Sequence, residues 1–193
     1  MKRLTLLILL LLCASSVFAQ KADSASAKQV KTKNVDGVVM TSANDFFTNL
    51  SASSQFSIVA KLMTAAGMSD SLKSVTITFF APTDKAFDKL PTGTVDTLLL
   101  PNHKADLISL LNSHMVSGKL SSKDINKLIK AGNGQATLTT AAGETLTARL
   151  NGNRNIVLSD ENGNQAIVTR LDIEQSNGIL FVINGVLSLK PKQ

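Results

Sequence analysis

The chain has 193 residues, 44% of them hydrophobic and 18% charged, with a formal net charge of +6, no Trp, no Tyr and one Cys. A single cysteine excludes an intrachain disulfide, so stability must come from an ordinary apolar core. The positive excess is local: residues 20–35 carry a net +3, and from Asp36 onward 14 basic face 13 acidic residues, which argues against the basic, aromatic-bearing face of a nucleic-acid binder.

Residues 1–19 read as an export signal. Lys2 and Arg3 precede the apolar run Leu4 to Leu12, and Val17-Phe18-Ala19 forms a small-residue cleavage site. The run is too short to span a bilayer as a mature helix, and no other apolar stretch is long enough. Lipid attachment at Cys13 is disfavoured because Leu12, a bulky residue, precedes it. Cleavage after Ala19 leaves a chain without cysteine. Residues 20–40 are then expected to be a flexible Lys/Ser-rich leader, poor in large apolar groups.

The body begins with helices. Asp45 to Leu50 opens the first, with Ser42 or Asn44 as its expected cap. Phe56, Val59, Ala60 and Met63 recur at helical spacing, and Gly67 stops the run. The β-prone run Thr76 to Phe80 then breaks at Ala81-Pro82-Thr83-Asp84. Proline removes a ladder donor. Thr83 is expected to cap the next helix through its hydroxyl, and Asp84 to sit at the positive end of the helix dipole. Leu107, Leu110, Leu111 and His114 share one face of a further helix. Ser121 to Asp124 resembles a capping box, followed by the stripe Ile125, Leu128 and Ile129.

From Gln135 the period changes. QATLTT, TLTARL, NIVL, QAIVTR and ILFVING are short β-prone runs separated by Ala142-Gly143, Asn151-Gly152, Asp160 to Asn164 and Ser176-Asn177-Gly178. Asn-Gly supplies the positive φ of tight hairpins. The expected fold class is α+β: one domain, with a C-terminal antiparallel meander and the N-terminal helices packed on it.

Three ordered motifs resemble the fasciclin domain family: TITFFAPTDKAFDKLP, LISLLNSHMVSGKLSSKDI and IEQSNGILFVINGVLSLK. The likeness covers residues 41–190, leaving 191–193 as a tail. It implies a wedge-like β-sandwich decorated by helices, serving extracellular adhesion or matrix contact without catalysis. The family's Tyr-His pair, tied in some animal members to integrin binding, stands here as Ser113-His114. The histidine and aspartate of the closing signature are Phe181 and Asn184.

Chemistry leaves few candidates. There are two histidines, His103 and His114, and neither G-x-S-x-G nor H-E-x-x-H occurs. Asp84 and Asp88 are the acids a carboxylate-based hydrolase would use. Residues 160–164, DENGN, place oxygen ligands at alternate positions as an EF-hand does, but Gln165 and Leu171 replace its glycine and bidentate glutamate. A hairpin turn is expected there, and no metal or other cofactor. His114 is the one binding candidate: a surface contact on the resemblance, or a helix-end histidine bonded to backbone within the core. The leading expectation is an exported, periplasmic or cell-surface interaction module whose partner is a surface protein or polysaccharide. The alternative is a soluble carrier of a small ligand in a groove between helices and strands.

Overall fold

A computed structural model describes residues 29–187. The export signal, Cys13, the first part of the leader and the C-terminal tail lie outside the described residues.

The second half of the expected leader is ordered. Thr32–Val35 (β1) and Val38–Thr41 (β2) pair antiparallel around Asp36-Gly37. Both turn residues have positive φ, +49° and +96°. That is the backbone a two-residue hairpin needs, and Asp-Gly between valines was its signal in the sequence. The hairpin is tied to the body by Lys31, whose ammonium lies 2.6 Å from Glu174, and by Lys33, which donates to the Leu171 carbonyl. The Lys31 ammonium holds the Glu174 carboxyl below its usual range.

The helical layer follows. Phe46–Ser51 (α1) is capped by Asp45, whose carboxylate accepts from the Thr48 N–H at 2.7 Å, so the expected caps Ser42 and Asn44 are displaced by their neighbour. Ser57–Ala66 (α2) buries Val59, Leu62, Met63 and Ala66 and ends at Gly67. Ala60 flanks this stripe, half-buried. The short helices Met68–Ser71 (α3), Asp84–Phe87 (α4) and Thr94–Leu98 (α5) lead to Lys104–Ser113 (α6). Ser122–Ala131 (α7) has the expected capping box between Ser121 and Asp124. Its core stripe is Ile125 and Ile129 alone; Leu128 is 42% exposed, which corrects its place in that stripe.

The strands are Ile77–Pro82 (β3), Met115–Ser117 (β4), Gln135–Thr139 (β5), Thr145–Leu150 (β6), Ile156–Ser159 (β7), Gln165–Gln175 (β8) and Gly178–Ile183 (β9). They form one sheet in the order β4-β3-β9-β8-β7-β6-β5. From β5 to β9 each neighbour is antiparallel, as the meander predicts. The centre differs: β3 pairs parallel with β9, from Ile77↔Gly178 to Pro82↔Ile183. The first half therefore contributes two strands to the sheet as well as a helical cover. Val116 bridges Thr140, and the Ala141 N–H donates to the Met115 carbonyl at 2.7 Å, so the sheet's two ends nearly close a barrel.

Two cores result. Ile77, Phe79, Ala81, Leu180 and Val182 face the helices with Phe46, Val59 and Leu107. Phe80, Phe181 and Ile183 face the inside of the curved sheet with Leu138, Leu146 and Leu158, where Ile125 and Ile129 of α7 plug the end. Alternate residues of one strand enter opposite cores because side chains in a strand alternate sides. Phe79 meets Phe46 edge to face at 5.8 Å, while Phe80 stacks on Phe181 at 5.3 Å.

Candidate functional site

The parallel pairing of β3 and β9 aligns two motifs that lie far apart in the chain. Pro82 is opposite Ile183, so Thr83-Asp84 and Asn184 emerge on one rim of the sheet. Pro82 ends its strand, consistent with the donor it lacks. Around this rim is a groove of about 740 Å³. Its walls are the hairpin tip at Asp36, the turn at Ser54-Gln55, the start of α4 with Lys85 and Lys89, and the β8 bulge at Thr169-Arg170.

The polar groups here are partly committed. The Arg170 guanidinium lies 2.6 Å from Asp36 and holds the hairpin tip against β8. Asp84 accepts from the Ile58 N–H at 3.0 Å and from the Ser57 hydroxyl. It thus serves the first turn of α2, a neighbouring helix, as well as standing in the first turn of its own. Thr83 occupies the cap position of α4, but its hydroxyl makes no capping bond; its backbone carbonyl accepts from the Ala86 N–H at 2.8 Å. The expected hydroxyl cap is therefore corrected. Lys89 donates to the Asn184 carbonyl at 2.6 Å, and the Asn184 side-chain oxygen accepts from the Ile167 N–H at 2.8 Å.

His114 lies elsewhere and is only 2% exposed. Its Nδ1 is 2.8 Å from the Leu110 carbonyl, which makes Nδ1 the protonated nitrogen, and Nε2 accepts from the Leu187 N–H at 3.0 Å. Burial lowers its pKa to about 4. Both ring nitrogens of the neutral ring are on backbone groups within the core. The helix dipole does not keep it charged either: desolvation outweighs that modest attraction. Ser113 is buried beside it, its one hydroxyl proton shared between the Ser109 carbonyl at 2.9 Å and the Glu144 carboxylate at 2.8 Å.

Asp84 and Asp88, the acids weighed for hydrolysis, line different hollows; Asp88 borders a smaller one of about 260 Å³ with Phe87 and Pro91 to Asp96. Asp160 accepts from the Asn162 and Asn164 N–H groups and from the Asn164 side chain, so its oxygens organise the turn. Among the described residues no group of three or more His, Cys, Asp or Glu side chains is placed to hold a metal ion. No described helix is long and apolar enough to cross a membrane.

Asn177 was legible only as a turn residue. Buried at 6% exposure, it accepts from the Phe46 N–H at 3.2 Å and donates to the Leu72 carbonyl at 2.9 Å, joining the β8–β9 turn to the helical layer. Asn49 and Gln175, both buried, hydrogen-bond beneath β2. Their pairing links residues 126 positions apart, and local sequence pattern carries no signal of it.

The fasciclin domain family model matches residues 54–189. The chain is 31% identical over 165 residues to protein sll1483 of Synechocystis sp., covering 85% of this chain and 79% of that one. It is 29% identical over 160 residues to the immunogenic protein MPB70 of Mycobacterium bovis, covering 83% and 77%. Among solved structures it resembles a FAS1 domain pair from the insect cell adhesion molecule Fasciclin I, with a TM-score of 0.54 at 22% identity, over 69% of this chain and 44% of that one. That likeness concerns the fold. With the wedge, the near-closed sheet and the two aligned motifs in place, the chain belongs to the fasciclin domain family.

Proposed function

We propose that this chain is an exported, non-catalytic interaction module that supports cell adhesion or contact with matrix polysaccharide or a surface protein. The observation that carries this reading is the fasciclin domain itself, a domain present as a pair in an insect cell adhesion molecule. The N-terminal signal pattern supports export. The groove at the β3–β9 rim supports a binding role, because it gathers charged and hydroxyl-bearing side chains from separate segments of the chain. The test is retention of the purified protein on native envelopes and on a polysaccharide array. Retention on either is the expected result, and failure on both removes the reading. Export is checked by fractionating cells that express the full chain and locating the protein by its mass.

The groove also supports a second reading, a carrier of a small soluble ligand, since its volume of about 740 Å³ suits one. A carrier leaves native purification with a bound molecule visible by native mass spectrometry. An interaction module leaves it empty.

A further inference from the structure

The rim groove holds three cations, Lys85, Lys89 and Arg170, and two carboxylates, Asp36 and Asp84. Both carboxylates already face donors: Asp36 faces Arg170, and Asp84 faces the start of α2. The cations keep donors in reserve. Lys85 is exposed and makes no hydrogen bond or ion pair with any described residue. Lys89 gives one bond, to the Asn184 carbonyl, of the three an ammonium can give. Arg170 uses its two terminal nitrogens, on Asp36 and on the Thr169 carbonyl, and makes no described bond through Nε.

Asn184 leaves the groove its positive excess. It lines the groove without a charge. An aspartate there would add a third carboxylate against three cations. With asparagine the groove is left with one net positive charge. The asparagine oxygen still accepts from the Ile167 N–H, so the fold keeps its bond while the charge is gone.

The rest of the lining narrows the ligand. Ser54, Thr83, Thr169 and Gln55 contribute hydroxyl and amide groups. The strands at the rim offer no open edge: β3 lies between β4 and β9, and β9 between β3 and β8. An extended peptide therefore has no ladder to join at the rim of the seven-stranded sheet. A ligand that carries negative charge and many hydroxyls matches what is presented.

We propose that this groove binds an anionic polysaccharide through its sugar-acid carboxylates, with Lys85, Lys89 and Arg170 as the contacting cations. This rests on the reading of the chain as an interaction module and names its partner class. Titration calorimetry uses polygalacturonate as the probe, with neutral dextran and poly-glutamate as comparators, at low and high salt. The wild-type chain is expected to bind polygalacturonate, less tightly as salt rises, and to ignore dextran. Asn184→Asp weakens that binding by about fivefold, the effect of one exposed charge, and Lys85→Glu, which changes the charge by two units, weakens it further. Lys130→Glu, on α7 where it packs against β5 at the other end of the sheet, leaves it unchanged. Asn184→Asp retains the acceptor for Ile167, and its melting temperature confirms that it folds.

Equal binding by the wild type and both groove variants overturns the proposal, as does equal binding of dextran. Tighter binding of poly-glutamate than of polygalacturonate overturns it in favour of an acidic peptide. Retention on native envelopes without polygalacturonate binding overturns the ligand class and leaves the interaction module standing. Retention on neither removes both.

Discussion

The central pair β3–β9 and the outer hairpins β5–β6–β7 are parts of one sheet under opposite constraints. Every residue of β3 and β9 is buried, and their two faces serve two cores. β5 alternates exposed and buried residues along its length, with water on one side. Parallel strands covered on both faces read as continuous apolar runs, while a half-covered antiparallel strand alternates. The difference teaches that the wall dividing the molecule takes one strand from each half of the chain, β3 and β9, while the second half supplies most of the curved surface.

The sharpest way to break the central pair is Gly178→Ala. Gly178 has φ +152°, and an added Cβ would lie 1.8 Å from the Ile77 carbonyl oxygen and 2.9 Å from the Phe46 ring. The neighbour is backbone of the paired strand, so β3 and β9 must separate. Urea denaturation is expected to show a loss of at least about 4 kcal/mol, or no folded protein.

Acid acts next, at the seam where His114 holds the Leu187 N–H. The unfolded chain binds a proton at His114 below about pH 6.5, whereas the folded chain resists it until about pH 4. Its stabilising effect is complete above pH 6.5 and declines as pH falls towards 4, by about 3 kcal/mol in all. His114→Gln should flatten that slope in a series of denaturation curves, at some cost in stability at neutral pH.

One substitution made in both regions sharpens the comparison. Thr78 in β3 is fully buried, and its hydroxyl donates to the Gly118 carbonyl and accepts from the Leu120 N–H, both at 2.8 Å. Thr78→Ala leaves two groups without partners and should cost about 2 kcal/mol. Thr137 in β5 is exposed. Thr137→Ala should change stability by less than about 0.5 kcal/mol.

The smallest contrast lies just beyond β3. Asp84→Ala removes the acceptor at the start of α2 and should cost about 1 kcal/mol by thermal melting. Thr83→Ala removes no capping bond and should stay within about 0.5 kcal/mol.

These neighbours also show what the sequence could and could not disclose. The break at Pro82, the helix stop at Gly67 and the capping box at Ser121 depend on a few adjacent residues, and each was legible. The meander was legible from its turns and alternation. The parallel pairing was not, because ITFFAP and GILFVI are apolar runs, Thr78 aside, and carry no period that names a partner. The β1–β2 hairpin had its Asp-Gly signal but was masked by a lysine-rich composition. The groove was illegible as a site, since Asp36, Lys85, Arg170 and Asn184 come from four separate segments. His114 was legible as a helix-face residue, but its partner Leu187 lies 73 positions away. Only that contact decides between surface and interior.

The β3–β9 pairing also orders events in time. Ile77 and Gly178 are partners 101 positions apart. A ribosome releases β3 long before the strand that must lie against it. Until β9 arrives, both cores lack a shared wall, and Phe79 and Phe80 have no sheet neighbour on that side. A chain truncated before Gly178 should therefore remain protease-sensitive along its whole length. The sheet cannot set until β9 is made, so β3 must wait through about a hundred residues of synthesis for the strand that completes its pairing.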